Sequence, residues 1–123
     1  MVKIINSYIQ SIINNNTSIK RFNILLTLSG GVDSMVMTDI IRKIKYDFDI
    51  RLGAIHVNHN LNIDSVKYQS ICENYCKRYK IKYYCKQLNP KLNNVDSIES
   101  WGRINRYNIF NKVADIYKYN FIF

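Results

Sequence analysis

One stretch of six residues constrains this chain more than any other. It follows the apolar run 22–28, precedes helical periodicity from Met35 onward, and consists of Ser29, Gly30, Gly31, Val32, Asp33 and Ser34. A buried strand that turns into a helix through glycines presents unpaired backbone amides, with the positive end of the helix dipole behind them. The stretch therefore predicts an anion site at a strand-to-helix corner.

The side chains of this stretch narrow the kind of anion. Gly30 and Gly31 lack a Cβ and can adopt positive φ, so the backbone can approach a phosphate chain, and the hydroxyls of Ser29 and Ser34 can donate to it. A carboxylate beside a phosphate is repulsive unless a divalent cation lies between them, so Asp33 indicates a magnesium-nucleotide. The glycines alone would equally suit an ordinary turn and N-cap, and the stretch has neither a Walker ending nor a three-glycine dinucleotide spacing.

Composition fits one domain with an anionic partner. The chain has 123 residues, with 18 Lys and Arg against 9 Asp and Glu, a net charge of +9. Such an excess favours nucleic acid as a partner, although AT-rich coding, which enriches Lys, Ile, Asn and Tyr, would produce part of it. The sequence has neither a stretch of membrane-spanning length nor a secretion signal pattern, so we expect a soluble, intracellular protein without membrane contact.

Hydrophobic periodicity predicts alternating helices and strands, typical of an α/β fold with a parallel sheet. The expected helices cover residues 2–13, the segment from Met35, 64–79 and 97–117, and the expected strands cover 22–28, 51–57, 81–87 and 120–123. We expect residues 1–21 to form a helix and connection, and 22–123 to form the nucleotide-binding domain. The core-facing residues predicted for the two middle helices are Met35, Val36, Ile40, Ile41 and Ile44, and then Val66, Ile71, Cys72, Tyr75, Cys76 and Tyr79.

Polar residues cluster where the second strand ends. His56-Val57-Asn58-His59-Asn60-Leu61 contains both histidines of the chain. In open α/β sheets the ligand lies beyond the carboxyl ends of the strands, so this segment is expected to flank the glycine stretch. For His56, packing under the sheet and contact with the ligand are equally compatible with the sequence, and no third ligand accompanies His56 and His59 for a metal.

The last helix carries an acid and two arginines at helical steps. Glu99, Arg103, Arg106 and Phe110 fall on or beside one face. Arginine forks suit phosphate and carboxylate, whereas an exposed ion-pair ladder is the alternative interpretation. A basic, aromatic-rich stretch over 77–86 could meet an RNA backbone or be a solvated edge.

The three cysteines, Cys72, Cys76 and Cys85, include no Cys-x-x-Cys pair. They are an odd number and lie among apolar positions. We therefore interpret them as reduced thiols that pack in the core.

These motifs, in this order, resemble a known family. The six-residue stretch resembles the phosphate loop of the PP-loop ATP pyrophosphatases. With the histidine segment and with Glu99, Arg103, Arg106-Tyr107 and Phe110, the chain from about Asn23 onward is similar to the N-terminal catalytic domain of the tRNA(Ile)-lysidine synthetases.

The resemblance implies a reaction. ATP would adenylate C2 of the wobble cytidine of a CAU-anticodon tRNA(Ile), and free lysine would displace AMP to give lysidine. It also implies residue roles: residues 29–34 on the pyrophosphate, Asp33 on Mg²⁺, Ala54 and His56 near the adenosine, Glu99 with Arg103 on the substrate, and His59, Arg103 and Arg106 in catalysis. Further expectations are a bacterial cytoplasm or plastid stroma, and a homodimer.

The resemblance also implies a Rossmann-like three-layer α/β sandwich with a parallel sheet of order 3-2-1-4 and the ATP site between strands one and four. Because the chain stops inside its last strand, we expect a C-terminally incomplete domain, and a second polypeptide that supplies the missing part is one candidate partner. An inactive or split nucleotide-binding fragment and a PP-loop tRNA thiolase remain alternatives, and the missing Cys-x-x-Cys counts against the thiolase.

Overall fold

The fold alternates strands and helices as the periodicity predicts. The computed structural model describes residues 22–44, 49–58, 63–88 and 98–123, with the backbone alone over 98–102, together with Ser7 and Ser11. The elements are β1 (Phe22–Thr27), α1 (Val32–Ile44), β2 (Ile50–Asn58), α2 (Ser65–Arg78), β3 (Lys82–Gln87), α3 (Ile98–Tyr117) and β4 (Phe121–Ile122). The helix predicted over 2–13 lies outside the described residues, apart from Ser7 and Ser11, which are helical and exposed.

The sheet confirms the predicted strand order. Its four strands lie in the order β3-β2-β1-β4, and every neighbouring pair is parallel. The chain adds β2 and β3 on one side of β1 and then returns to place β4 on the other side. This reversal creates a switch point at the carboxyl end of β1, where open α/β sheets form a crevice.

Helices cover both faces, which confirms the three layers. Ile24 and Leu26 of β1 face a core shared with α1 and α2, whereas Leu25 and Ile55 face Val113 and the rest of α3. The side chains alternate because successive residues of a strand point to opposite faces. In the described part of the chain, no helix is long and apolar enough to cross a membrane.

The predicted core stripes of α1 and α2 are partly wrong. Val36, Val66 and Ile71 were expected inside, but their exposed fractions are 43%, 72% and 36%. A helix on a sheet buries only a stripe of its surface, and these three side chains lie at the flank of that stripe. Val36 and Ile71 instead line a shallow apolar groove of about 490 Å³ between the two helices.

The prediction of buried cysteines is confirmed for two of the three. The side chains of Cys72 and Cys76 are 0% and 1% exposed, and Cys85 on β3 is half-buried. Burial raises the pKa of the Cys72 thiol to about 12 and that of Cys76 to about 11. Both are therefore protonated packing residues at neutral pH.

Tyr119 fixes the end of α3 onto the sheet. Its ring lies against Gly53 of β2, and its hydroxyl is 3.1 Å from that of Tyr84. Arg51 stacks over the same ring at 4.3 Å and donates to the carbonyl oxygen of Tyr117 at 2.7 Å, near the negative end of the helix dipole. Through α3, this cluster positions the residues at the other end of that helix.

Gly53→Ala should destabilise the fold, because a Cβ at position 53 would overlap the hydroxyl and ring of Tyr119. Overpacking of this kind costs about 1–3 kcal/mol in the free energy of unfolding. Urea denaturation of Gly53→Ala, Tyr119→Phe and the double variant measures it. Removing the hydroxyl should relieve part of the overlap. The double variant should therefore lose less free energy of unfolding than the two single variants lose together. An alanine at 53 that leaves the unfolding free energy unchanged would contradict this packing.

A polar network joins α1 to α2 at their exposed edge. Asp39 accepts hydrogen bonds from Arg42 and from the hydroxyl of Tyr75, both at 2.8 Å, and pairs with Lys43 at 3.0 Å. Arg42 also stacks over the ring of Tyr79 at 3.7 Å. The hydrogen bond from Arg42, followed by those from Lys43 and Tyr75, holds the pKa of Asp39 well below its usual range.

Asp39 should therefore contribute stability that disappears in acid. A carboxyl whose pKa is lower in the folded state stabilises above its unfolded pKa of about 3.9, and this contribution is lost as the pH falls toward the folded pKa. Because the side chain is one-third exposed, we expect Asp39→Asn to lose about 1 kcal/mol near neutral pH. Urea denaturation at about pH 7 and about pH 3 should show the gap from wild type narrowing in acid.

Asp115→Asn is the matched control for this variant, because Asp115 is an exposed carboxylate on α3 with no described partner. It should stay close to wild type at both pH values. A gap for Asp39→Asn that does not change with pH would contradict the assigned role of its carboxylate.

Candidate functional site

A cleft opens where the sheet order reverses. It has a volume of about 560 Å³ and is lined by the carboxyl ends of β1, β2 and β4 and by one face of α3. Its walls include Thr27, Ser29, His56, Arg103, Arg106 and Tyr107. Among the described residues no carboxylate side chain lines it, so its charged lining is cationic and suited to an anion.

The phosphate loop, residues 29–34, follows β1 at the edge of the cleft, and its first residue, Ser29, lines the cleft. Gly30 has φ of +86°, and a Cβ there would lie 2.8 Å from the Cβ and the carbonyl oxygen of Tyr68 on α2. Both the backbone conformation and the close approach of α2 therefore require glycine. The sequence predicted only the first of these two reasons.

The start of α1 leaves backbone donors without helical acceptors. The first backbone hydrogen bond of the helix runs from the amide of Met35 to the carbonyl oxygen of Gly31, at 3.1 Å. The amides of Val32, Asp33 and Ser34 precede it and have no acceptor within the helix. Three such amides at the positive end of a helix dipole form an anion site.

Serine hydroxyls hold the loop in shape. The amide of Ser29 donates to Oγ of Ser34 at 3.1 Å, and the amide of Gly31 donates to Oγ of Ser29 at 3.2 Å. The Ser34 hydroxyl in turn donates to the carbonyl oxygen of Thr27 at 3.4 Å. The loop is thus closed by its own side chains.

His56 ties the entry of the loop to β2. The amide of Leu28 donates to the carbonyl oxygen of Ile55 at 2.8 Å, and Nδ1 of His56 lies 2.8 Å from the carbonyl oxygen of Leu28. A carbonyl oxygen only accepts, so Nδ1 carries a proton. The ring is 5% exposed and has the thiol of Cys72 at 3.7 Å, but it also lines the cleft. The sequence left open whether His56 packs inside the fold or faces the ligand site. In the structure it is buried and also borders the cleft.

Arg103 and Arg106 supply the positive wall of the cleft. They lie on the face of α3 that lines it, with Arg103 exposed and Arg106 half-buried. Among the described side chains, neither guanidinium pairs with a carboxylate. The side chain of Glu99, the expected partner in an ion-pair ladder, lies outside the described residues. The described geometry leaves both arginines available to an anion in the cleft.

The structure brings only part of the predicted site together. Ser29, His56, Arg103 and Arg106 line the cleft. Gly31 and Ser34 lie in the loop, Asp33 is exposed in the first turn of α1, and Gly30 and Val32 line the neighbouring groove.

Two further predicted site residues need a separate account. The side chain of Ala54 is fully buried in the core, because it lies two residues before His56 in β2 and the cleft begins only at the strand end. It does not line the cleft. His59 lies outside the described residues.

Sequence reasoning missed Tyr68 and the amide cluster beside it. Tyr68 lines the cleft, and Asn58 donates to Oε1 of Gln69 at 2.9 Å, which also accepts from Gln87 at 3.0 Å. These bonds join the ends of β2 and β3 to α2. The signal for Asn58 was a polar residue at the end of a buried strand, whereas nothing in the helical pattern distinguishes Tyr68.

The donor set fits a nucleotide-bound magnesium better than a metal held by protein alone. Within the described ranges, no three His, Cys, Asp or Glu side chains form a metal-binding group. Mg²⁺ commonly takes one or two carboxylates and completes its shell with phosphate oxygens and water. Asp33, in the same helical turn as the free amides, suits that arrangement.

Comparisons with known proteins agree with this geometry. A sequence model of the PP-loop domain matches residues 1–123. A tRNA(Ile)-lysidine synthase of Francisella tularensis subsp. novicida is 37% identical over 102 residues, 80% of this chain and 24% of that protein. One of Buchnera aphidicola subsp. Acyrthosiphon pisum is 38% identical over 85 residues, 69% of this chain and 19% of that protein. The chain thus spans about a quarter or less of these curated relatives.

A solved structure shares the fold. The U34-tRNA thiolase NcsA from Methanococcus maripaludis, with its [4Fe-4S] cluster, superposes with a TM-score of 0.68 and 25% identity, over 82% of this chain and 36% of that one. The strand order, the glycine loop at the switch point and the match over the whole chain lead to one assignment. The chain belongs to the PP-loop domain family.

Proposed function

We propose that this chain is the ATP-binding catalytic domain of a tRNA(Ile)-lysidine synthetase. The proposed reaction joins lysine to C2 of the wobble cytidine of a CAU-anticodon tRNA(Ile) and releases AMP and pyrophosphate. One observation carries the proposal: free helix-terminal amides lie at the switch point whose cleft is walled by Arg103 and Arg106. The identity of 37% to a curated lysidine synthase supports this choice of reaction.

In this proposal the loop binds the phosphates of ATP. The amides of Val32, Asp33 and Ser34 donate to the β and γ phosphates, which become the leaving pyrophosphate. Asp33 would hold magnesium, which would offset the charge of those phosphates. His56 and the ends of β1 and β2 lie beside the adenosine, and His56 fixes the loop through the carbonyl oxygen of Leu28.

The arginines act on the charge that develops during adenylation. The cytidine O2 attacks the α phosphorus, the bond to the β phosphate breaks, and pyrophosphate leaves. An amino group of lysine then attacks C2, and the C–O bond to AMP breaks. Arg103 and Arg106 stabilise the negative charge on the α phosphate as it is attacked. Glu99 and His59 are proposed to take part in substrate binding and catalysis.

The partners follow from the reaction. They are the tRNA and free lysine, and a homodimer is a separate proposal. The chain has twice as many basic as acidic residues, which supports a polyanionic partner. The proposed location is a bacterial cytoplasm or a plastid stroma.

Asp33→Ala should weaken nucleotide binding at least tenfold, because it removes the carboxylate proposed to hold the cation between itself and the phosphates. Isothermal titration calorimetry with α,β-methylene-ATP and Mg²⁺ measures the affinity, and circular dichroism checks that the variant is folded. Asp115→Ala removes an exposed carboxylate that does not line the cleft, so its affinity should match wild type.

Two outcomes would contradict the proposed site. One is equal affinity of wild type and Asp33→Ala for the analogue. The other is a folded wild-type chain that does not bind the analogue, which would favour an inactive nucleotide-binding remnant.

A tRNA thiolase is the second candidate, because the structural neighbour is one. That neighbour carries an iron–sulfur cluster, and thiolates ligate such clusters. Here Cys72 and Cys76 are buried thiols with raised pKa.

We therefore expect anaerobic reconstitution with iron and sulfide to leave no bound cluster on the folded chain. Visible absorption and iron analysis measure the amount of bound cluster. Cys85→Ser is the control, because Cys85 is the half-buried thiol that iron could reach. A stoichiometric cluster would favour the thiolase.

A further inference from the structure

Tyr107 stands at the mouth of the cleft. It is 55% exposed, whereas the other aromatic side chains that line the cleft, Tyr68, Phe110 and Phe123, are half-buried. The side chain thus leaves more than half of its surface to solvent beside a site built for a polyanion. The roles proposed so far for the reaction do not use it.

The position of this ring is fixed from below. Tyr107 meets the ring of Phe110 edge to face, with centroids 6.2 Å apart and planes at 89°. Phe110 packs in turn against the core between α3 and the sheet. Such a pair is a preferred aromatic geometry, and it holds the tyrosine in one orientation without covering it.

Two cations precede the ring on the same helix. Arg103 is one turn before Tyr107 and Arg106 is its neighbour, and all three side chains line the same cleft. An exposed aromatic ring in a cleft that also carries guanidinium groups is an arrangement that proteins use for single-stranded nucleic acid, since bases stack on the ring and the cations contact the backbone.

We propose that Tyr107 is the stacking platform for the target nucleobase of the RNA substrate at the mouth of the cleft. This proposal rests on the proposed function and deepens it by naming the side chain that receives the base. Ser29, the first residue of the phosphate loop, lines the cleft where β1 ends, and Tyr107 lines the same cleft from α3, so a base stacked on this ring shares the cleft with the proposed phosphate site. Among the described residues that line the cleft, Tyr107 is the exposed aromatic one.

The test uses a fluorescein-labelled RNA hairpin whose loop carries the CAU anticodon, and a second hairpin with an abasic site in place of the cytidine. Fluorescence anisotropy at one fixed ionic strength gives the affinity of each, because phosphate contacts depend on salt. For the wild-type chain, loss of the base should weaken binding about tenfold.

Tyr107→Ala should weaken binding of the intact hairpin by the same factor. It should bind both hairpins equally, because without the ring the base of the intact hairpin has nothing to stack on. Tyr107→Phe keeps a ring and should behave as wild type. Ile116→Ala is the control: it removes an apolar side chain of the same helix that is 59% exposed and does not line the cleft, so its affinity should stay within about twofold of wild type.

Binding of α,β-methylene-ATP to the same variants separates this proposal from the proposed function. Stacking of an RNA base predicts that Tyr107→Ala keeps the analogue affinity of wild type. A loss of analogue affinity in Tyr107→Ala, with an unchanged preference for the intact hairpin, would place the ring on the adenine and overturn the proposal. A wild-type chain that discriminates the hairpins but does not bind the analogue would overturn the proposed ATP site and leave the base platform intact.

Discussion

The site depends on how Leu28 is held at both of its backbone polar groups. Its amide donates to the carbonyl oxygen of Ile55, which carries the β1–β2 ladder one residue beyond Thr27, and its carbonyl oxygen accepts from His56. Because the carbonyl oxygen of Leu28 accepts from a side chain instead of a backbone amide of β2, the ladder between the two strands stops at this residue. Gly30 turns the chain at positive φ against the backbone of α2, and α1 then begins with its free amides at the switch point. A buried histidine and a glycine thus determine where the anion site forms.

The wall of the cleft that α3 forms depends on contacts at the carboxyl end of that helix. Arg51 and Tyr119 hold the carboxyl end of α3 against Gly53, so the helix is anchored about three to four turns from the arginines of the cleft. Arg103, Arg106 and Tyr107 lie beyond that anchor, on turns that line the cleft. Residues with no contact to a ligand therefore set the distance between the arginines and the phosphate loop.

Strand order, layers and buried thiols could be predicted from the sequence because each follows from periodicity or from a resemblance. The flanks of α1 and α2 could not: whether Val36 and Ile71 are covered depends on how far apart two helices pack, and no local pattern encodes that distance. To place Ala54 correctly, the exact end of β2 had to be known. His56 near that end lines the cleft, whereas Ala54, two residues earlier in the strand, is buried in the core. His56 was ambiguous for a physical reason, because one of its nitrogens is used inside the fold while the ring also borders the cleft.

The loop is prepared for one kind of anion. The amide of Ser29 donates to Oγ of Ser34 at 3.1 Å, and the amide of Gly31 donates to Oγ of Ser29 at 3.2 Å. These two hydrogen bonds hold the shape of the loop without a ligand. The amides of Val32, Asp33 and Ser34 have no acceptor within the helix, so they would lose no helical hydrogen bond on binding phosphate. Their hydrogen bonds to phosphate would be charge-assisted. The exposed carboxylate of Asp33 in the same turn opposes any anion that arrives without a counterion. A metal-bound nucleotide satisfies the amides and the carboxylate together, whereas free phosphate or sulfate satisfies only the amides. Under the proposed function, the amides and the carboxylate of this one turn would therefore favour a nucleotide that arrives with its cation.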